Sequence, residues 1–445
     1  MSSIAATITP RPRYPKGFRP RRGLNWGFLG LLYTSFYMCR YNLSLANKAI
    51  SDEFHYTHAQ MGQIITAWMI AYAVGQILNG LITDQIGGKR AMLIGAAGTI
   101  VMNIAFGAAS FWGLLWLFVL IRGIDGYLQS FGAPGMTKIK TAWFPKIERG
   151  GFAGIFGFMI NLGRFGINKL GPALLSGFTI LWMIKVPPLH WRWLFWVPSM
   201  ICAAVAVGMA LTVKETPEAA GFPGVIPGDV DELGRPSTEV RATVGETLRK
   251  ITENPAVWLV AAAYACTGAV RQSVDQWFPR YMQDLYHTDL GSARFQLLGF
   301  LIPCVASAGS LASGYISDFF CQGQRAPVAA VLYLIETVVV LIAAQFHTAN
   351  AAVFFLVLIS FTVNSTHSIL GTAAAMDIGG RRMTGFASGL IDSFQYFGGS
   401  MAGFILSPLI DVSWDYYFYF MVPFGLIGFT LMFLGRDVVA RGSNQ

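Results

Sequence analysis

Arg40 and Arg271 each interrupt a long apolar run, in Tyr37-Met-Cys-Arg40-Tyr41-Asn42 and Gly268-Ala-Val-Arg271-Gln272. A charge at the centre of a membrane span costs about 2.5–3.5 kcal/mol on insertion scales, so its default reading is functional. A guanidinium offers a planar fork of N–H donors that grips phosphate or carboxylate through two parallel bonds. Two forks at like places in two halves of a chain would make a site for a planar or tetrahedral anion. Left unopposed in a dry cavity they repel, so a ligand or an internal acid must balance them. Asp275, one helical turn beyond Arg271, is the internal alternative.

Other polar residues interrupt apolar runs in the same way. Arg122 and Asp125 stand within one turn of each other, either as a pair that holds and releases a proton or as an ion pair locking two helices. Asp392, near Gln395 and Tyr396, reads as a coupling carboxylate or as a partner for Arg271. Glu336, in span 9, reads as peripheral to the cavity or neutral. His367, with Asn364 nearby, reads as a packing hydrogen-bonder or a ligand contact. Tyr37, Tyr41, Tyr72 and Trp277 can orient a ligand with a hydroxyl or indole donor while their rings exclude water. Gln272 stands beside Arg271.

Several chemistries find no support. There is no Ser/His/Asp arrangement, no pair of catalytic carboxylates and no P-loop, so the expectation is not an enzyme and not a direct user of ATP. The five cysteines are scattered without a Cys-x-x-Cys pair, which argues against a disulfide framework and a metal site. No cofactor is expected. The net charge of +9 comes from Lys and Arg in short loops between apolar runs, a membrane topology and not a nucleic-acid stripe.

The elements holding these residues are membrane helices. Hydrophobic residues make up 54% and charged residues only 12%, too few charges to wet a soluble surface. With ~20 apolar residues per span, the spacing predicts spans near 24–48, 60–83, 90–110, 112–137, 150–178 and 191–213. Six more follow near 255–283, 293–319, 326–346, 350–373, 384–410 and 414–435. The expected fold is therefore all-α, twelve transmembrane helices in two pseudo-symmetric six-helix bundles, 24–213 and 255–435. A basic tail (1–23), a Pro/Gly-rich linker (214–254) with a short amphipathic piece at 243–252, and a C-terminal tail (436–445) complete it. Lys and Arg concentrate in the tails, linker and alternate loops, which places both termini in the cytoplasm. A repeat links the bundles. Gly80 and Asp84, followed by Lys89 and Arg90, leave span 2 as Gly314 and Asp318 leave span 8. These glycines are expected to let helices touch, and the carboxylates to cap a helix or pair with loop cations.

These loop signatures resemble the major facilitator superfamily over almost the whole chain, which implies two bundles rocking about a central site. A narrower resemblance is to the organophosphate:phosphate antiporter family. It rests on Arg40-Tyr-Asn-Leu-Ser-Leu-Ala, Ile70-Ala71-Tyr72, Gln129 with Gly132 and Pro134, and Trp143 with Glu148-Arg149-Gly150-Gly151. Asn161-Leu-Gly163, Glu215-Thr216-Pro217 with Gly221, Arg271 and Phe397-Gly398-Gly399-Ser400 continue it. The resemblance implies that Arg40 and Arg271 hold phosphate, with exchange of an organic phosphate for inorganic phosphate. Two positions depart. Gln76 stands where the family commonly carries lysine, and Ile160 where the glycerol-3-phosphate type carries histidine; Arg164, one turn on, restores a charge. A head group of different charge or shape is expected. The alternatives are a proton-coupled carrier of another organic anion and a transporter-shaped sugar-phosphate sensor. The expected partners are a small anionic solute and the lipid bilayer, for a monomer in a bacterial inner membrane.

Overall fold

The computed structural model describes residues 14–180, 184–226, 249, 252–321 and 324–442; the side chains of 146–156, 180, 184, 318, 372, 373, 375–388 and 442 also lie outside the described residues. Spans 1 to 3 are Phe18–Phe54, His58–Ile86 and Gly88–Ala109. Span 4 comes as two consecutive segments, Leu115–Gln129 and Gly132–Trp143, and spans 5 and 6 are Lys146–Ser176 and Trp193–Thr212. Spans 7 to 10 are Pro255–Tyr286, Ala293–Phe320, Arg325–Ala343 and Ala349–Ser368. Spans 11 and 12 are Ala375–Phe404 and Tyr416–Leu434.

The expected tail shortens, because residues 18–23 already belong to span 1. Arg11, Arg13 and most of the expected linker (227–248, 250 and 251) lie outside the described residues, as do the last three residues of the chain. A small hairpin between spans 5 and 6, Phe178–Ile180 paired antiparallel with Ile184–Val186, was not predicted. Three-residue strands carry too little pattern to read from sequence.

Among the described residues, seven spans are apolar enough to cross a bilayer on hydropathy alone: 2, 3, 6, 8, 9, 10 and 12. Span 4 misses that measure through its division. Spans 1 and 7 miss it because they bury polar groups, Arg40, Asn42 and Asn47 in the first and Arg271, Gln272, Asp275 and Gln276 in the second; spans 5 and 11 bury Arg164 and Asn168, and Ser393 and Gln395.

Within the first six, span 1 packs on 5 and 6, and span 4 on 2 and 3; within the last six, span 7 packs on 11 and 12, and span 8 on 10. The halves meet where span 2 crosses 11, span 5 crosses 8 and span 1 crosses 7. Glycine makes two of these crossings. A Cβ at Gly398 or Gly268 would strike the backbone carbonyl of Ala265 or Gln395 on the facing helix, and one at Gly403 would strike that of Gly62. Gly80 and Gly314, expected to let helices touch, face open space instead.

Substitution should separate these two classes of glycine. Gly398→Val overpacks the crossing of spans 7 and 11 and is expected to cost about 1–3 kcal/mol, read as a lowered Tm of the purified protein in detergent. Gly314→Ala should leave Tm near wild type. A Gly398→Val protein as stable as wild type would show that this crossing is not close-packed.

Candidate substrate-binding site

Arg40 is fully enclosed, although it lies in the middle of span 1. Its Nε donates to Gln129 Oε1 at 2.7 Å and its Nη1 to Tyr396 Oη at 2.8 Å. Its guanidinium carbon stands 4.3 Å from the Tyr37 ring centroid, 4.6 Å from Tyr72 and 4.8 Å from Trp68, so three ring faces solvate the charge. The remaining Nη2 is buried and has no hydrogen-bond partner among the described residues. Spans 1, 2, 4 and 11 thus converge on one cation and leave one donor unused.

Arg271 belongs to a second cluster. Asp275 Oδ2 stands 3.7 Å from Arg271 Nε, an ion pair beyond hydrogen-bond reach, and accepts from Tyr41 Oη at 3.2 Å. Asp275 Oδ1 pairs with Arg164 Nη2 of span 5. One carboxylate therefore serves two guanidiniums, and Arg164 Nη1 and Arg271 Nε are buried without a hydrogen bond among the described residues. The internal acid does balance part of the charge, as the alternative for Asp275 supposed. His367 of span 10 joins this cluster. Its ring nitrogens lie 3.3 and 3.4 Å from Arg271 Nη1, and Nδ1 lies 2.5 Å from Tyr264 Oη. A guanidinium can only donate, so the imidazole facing it accepts and is uncharged. A π-helical turn, Ile369–Ala374, follows at once, a distortion frequent at functional sites.

Gln76 Nε2 donates to Asp392 Oδ2 at 2.6 Å, joining span 2 to span 11. Arg40 and Arg271 both lie within electrostatic reach of Asp392. Asn161 donates to Ser307 Oγ at 2.7 Å, tying span 5 to span 8. Gln272 is buried and faces Gly399 of span 11 and Met69 of span 2.

Some expected roles change. Asp125 accepts from Arg122 Nη1 at 2.8 Å, Trp68 Nε1 at 3.0 Å and Asn103 Nδ2 at 3.4 Å, while Arg122 Nη2 donates to the Arg40 carbonyl at 2.7 Å. The pair thus ties span 4 to span 2 through Trp68 and to the backbone of Arg40 in span 1, although Arg122 Nε has no hydrogen-bond partner among the described residues. Trp277 is not a cavity donor: its indole bonds the Ala402 carbonyl at 2.9 Å, near the end of the bundle away from the termini. Glu336 is 1% exposed, with neither carboxylate oxygen hydrogen-bonded among the described residues. Asn364 bonds the Ser360 carbonyl of its own helix. Lys89 donates to the Ala210 carbonyl, and Asp84 pairs with Lys138 at 3.6 Å, both inside the first half. Glu215 accepts from the Gly88 N–H at 2.5 Å and so caps span 3, which accounts for the Glu215-Thr216-Pro217 motif.

Sequence reasoning missed a cluster that closes the end opposite the termini. Asp411, just after span 11, accepts from the backbone N–H groups of His58 and Ala59 at 2.8 and 2.9 Å, capping span 2 from the other half. His58 also sets Nδ1 at 2.8 Å from Asp411 and Nε2 at 3.1 Å from Asp284. Satisfying both contacts requires a proton on each ring nitrogen. Lys48 (3.4 Å) and Arg280 (2.5 Å) complete the pairing of Asp284, and Arg280 also reaches the Asn47 carbonyl. These residues flank predicted span ends, where charge is ordinary and carries no warning. Trp68, Gln129, Tyr264 and Tyr396, which complete the inner site, were legible only as aromatics and amides within spans.

A twelve-span bundle with a charged interior between two halves and a latch across one end defines a transport protein of the alternating-access kind. The sequence signature of the Major Facilitator Superfamily matches residues 29–403, and the chain belongs to that family. It is thus a multi-pass membrane protein of a transporter family and not an enzyme. It is 28% identical to the "Membrane sensor protein UhpC" of Salmonella typhimurium over 88% of this chain and 85% of that protein. It is 26% identical to a "Probable hexose phosphate transport protein" of Chlamydia trachomatis, over 91% and 88% of the two chains. The resemblance to the organophosphate:phosphate antiporter family is borne out by these relatives. In fold it is similar to a bacterial homolog of the human lysosomal transporter Spinster solved in an inward-facing, unoccupied conformation. That match has a TM-score of 0.78 and 17% identity, covering 95% of this chain and 98% of the other.

The latch generates a test. Asp411→Ala removes a helix cap and a charge-assisted bond, together about 1–3 kcal/mol, and should shift the two-state balance toward opening of that end. Spin labels at exposed Trp112 and His347, compared by double electron–electron resonance, should show a larger long-distance population. An unchanged distribution would mean that Asp411 does not hold the halves together.

Proposed function

We propose that the chain is a secondary transporter of a phosphate-bearing organic anion, exchanged for inorganic phosphate by alternating access. One observation carries the reading: Arg40 Nη2, Arg164 Nη1 and Arg271 Nε, contributed from both halves, are buried donors with no hydrogen-bond partner among the described residues, Arg271 Nε having only the longer ion pair with Asp275. Buried polar groups without partners are costly, and charged ones more so. An anion placed among them would satisfy donors from spans 1, 5 and 7 at once. Binding would then draw the halves together, which is the differential contact that a ligand needs to shift a conformational equilibrium. The similarity to a probable hexose phosphate transport protein of Chlamydia trachomatis supports hexose phosphate as one form of such an anion. The saturation of Asp125 by Arg122, Trp68 and Asn103 weighs against a proton carrier at that pair.

On this reading the two bundles are 24–213 and 255–435, with the linker and both termini on the cytoplasmic side of a bacterial inner membrane. The charged latch then closes the external end, and the protein works as a monomer. The sensor named among the relatives gives the second reading its footing, because a site that binds a sugar phosphate serves sensing as well as transport.

A fork that must reach phosphate with two bonds does not tolerate a point charge in its place. Arg271→Lys should weaken binding of phosphate and organic phosphates by about tenfold or more, read by thermal shift or calorimetry on the purified protein. Unaltered binding would remove Arg271 from the site. Proteoliposomes loaded with inorganic phosphate should drive counterflow of an organic phosphate with little dependence on a pH gradient. Binding without counterflow would favour the sensor, and uptake that follows the proton gradient would favour the proton-coupled carrier.

A further inference from the structure

The charges of the inner site do not sum to what a simple dianion needs. Three guanidiniums, on Arg40, Arg164 and Arg271, face two carboxylates, on Asp275 and Asp392, leaving one net positive charge; His367 accepts from Arg271 and adds none. A phosphate monoester carrying two negative charges would therefore turn a cavity of charge plus one into one of charge minus one, with Asp392 unrelieved inside it. Asp275 is engaged by two arginines and Tyr41. Asp392 is placed differently. Its only described hydrogen bond is from Gln76, a neutral amide, to Oδ2. That bond orients the carboxylate without neutralising it, and Oδ1 has no partner among the described residues. Asp392 is half-buried rather than enclosed, so this oxygen is available to something that enters the cavity.

We propose that the transported solute is an amine-bearing organic phosphate or phosphonate, whose phosphate is held by the arginines and whose ammonium is received by Asp392. The inference rests on the anion-site reading above and adds the second pole of the ligand. An ammonium offers three donors and one positive charge, and a carboxylate is its natural acceptor in a poorly solvated cavity. A zwitterion of net charge minus one matches the surplus of plus one. Asp392 acts as a specificity residue, and Gln76 as the positioning residue that fixes its orientation. A sugar hydroxyl in the same place would donate to Oδ1 but would leave the charge mismatch in place.

Matched ligand pairs that exchange an amine for a hydroxyl test this on the full chain in detergent: 2-aminoethyl phosphate against 2-hydroxyethyl phosphate, and glucosamine 6-phosphate against glucose 6-phosphate. The amine member should bind about tenfold tighter in each pair, as expected for one charge-assisted contact. Asp392→Asn should erase that preference. Inorganic phosphate binding by the same variant reports that it has folded. Gln76→Lys, which supplies an internal ammonium to Asp392, should erase the preference from the other side and favour the hydroxyl members. Equal binding within each pair, or an amine advantage that survives Asp392→Asn, would overturn the proposal. So would Asp392→Asn tightening both members equally, since Asp392 would then be only an internal counter-ion. No binding by any phosphate probe would overturn the anion-site reading itself, a result distinct from equal binding within pairs.

Discussion

The guanidinium groups of Arg40, Arg164 and Arg271 share the centre of this bundle with the carboxylates of Asp275 and Asp392, three cations against two anions. Much of the architecture serves to keep them there. Arg40 is solvated by ring faces and by a tyrosine and a glutamine, Arg164 and Arg271 divide a single aspartate, and each retains an N–H without a hydrogen bond among the described residues. Breaking one member of such a set leaves a bare charge behind, which is dearer than the whole set was to assemble. The site is therefore stable as a group but incomplete as a group.

Rigidity at the centre depends on features placed further out. The Arg122–Asp125 pair holds the Arg40 carbonyl, so a charge on span 4 fixes the backbone from which the buried Arg40 guanidinium projects. Glycines at 268 and 398 bring spans 7 and 11 into backbone contact, which sets the spacing between Arg271 and the Asp392–Tyr396 face. At the far end the halves are held by hydrogen bonds and charges rather than by a continuous apolar seam. A latch of that kind costs a few bonds to open, whereas an apolar seam would expose its whole area.

The fold was legible because its governing constraint is simple: a span needs a certain length of apolar chain, and loops between spans carry the charge. The predicted limits lie within a few residues of the helices for most spans, and the duplicated Gly–Asp signature pointed to the right family. The site was legible in part. Arg40, Arg164, Arg271, Asp275 and His367 announced themselves as charge or imidazole inside apolar runs, and the structure gathers them between the halves. Trp277 did not behave as expected, because an indole in a span looks the same whether it faces a cavity or a helix carbonyl. Gly80 and Gly314 were read as contacts, but a glycine's sequence neighbours do not say which conformation makes it touch. The latch at His58 was invisible for the opposite reason, since its charges stand where any membrane protein has charges.

The departure at Gln76 shows how a substitution can redistribute charge without disturbing geometry. A glutamine keeps the reach and the donor that a cation would have offered to Asp392, so the link between spans 2 and 11 survives intact. What it cannot do is cancel the carboxylate. The halves remain joined at this point while one negative charge stays exposed to whatever enters, and the same bond that preserves the architecture makes the cavity selective. Specificity in a site of this kind is set less by which side chains touch the ligand than by which charge the protein declines to neutralise for itself.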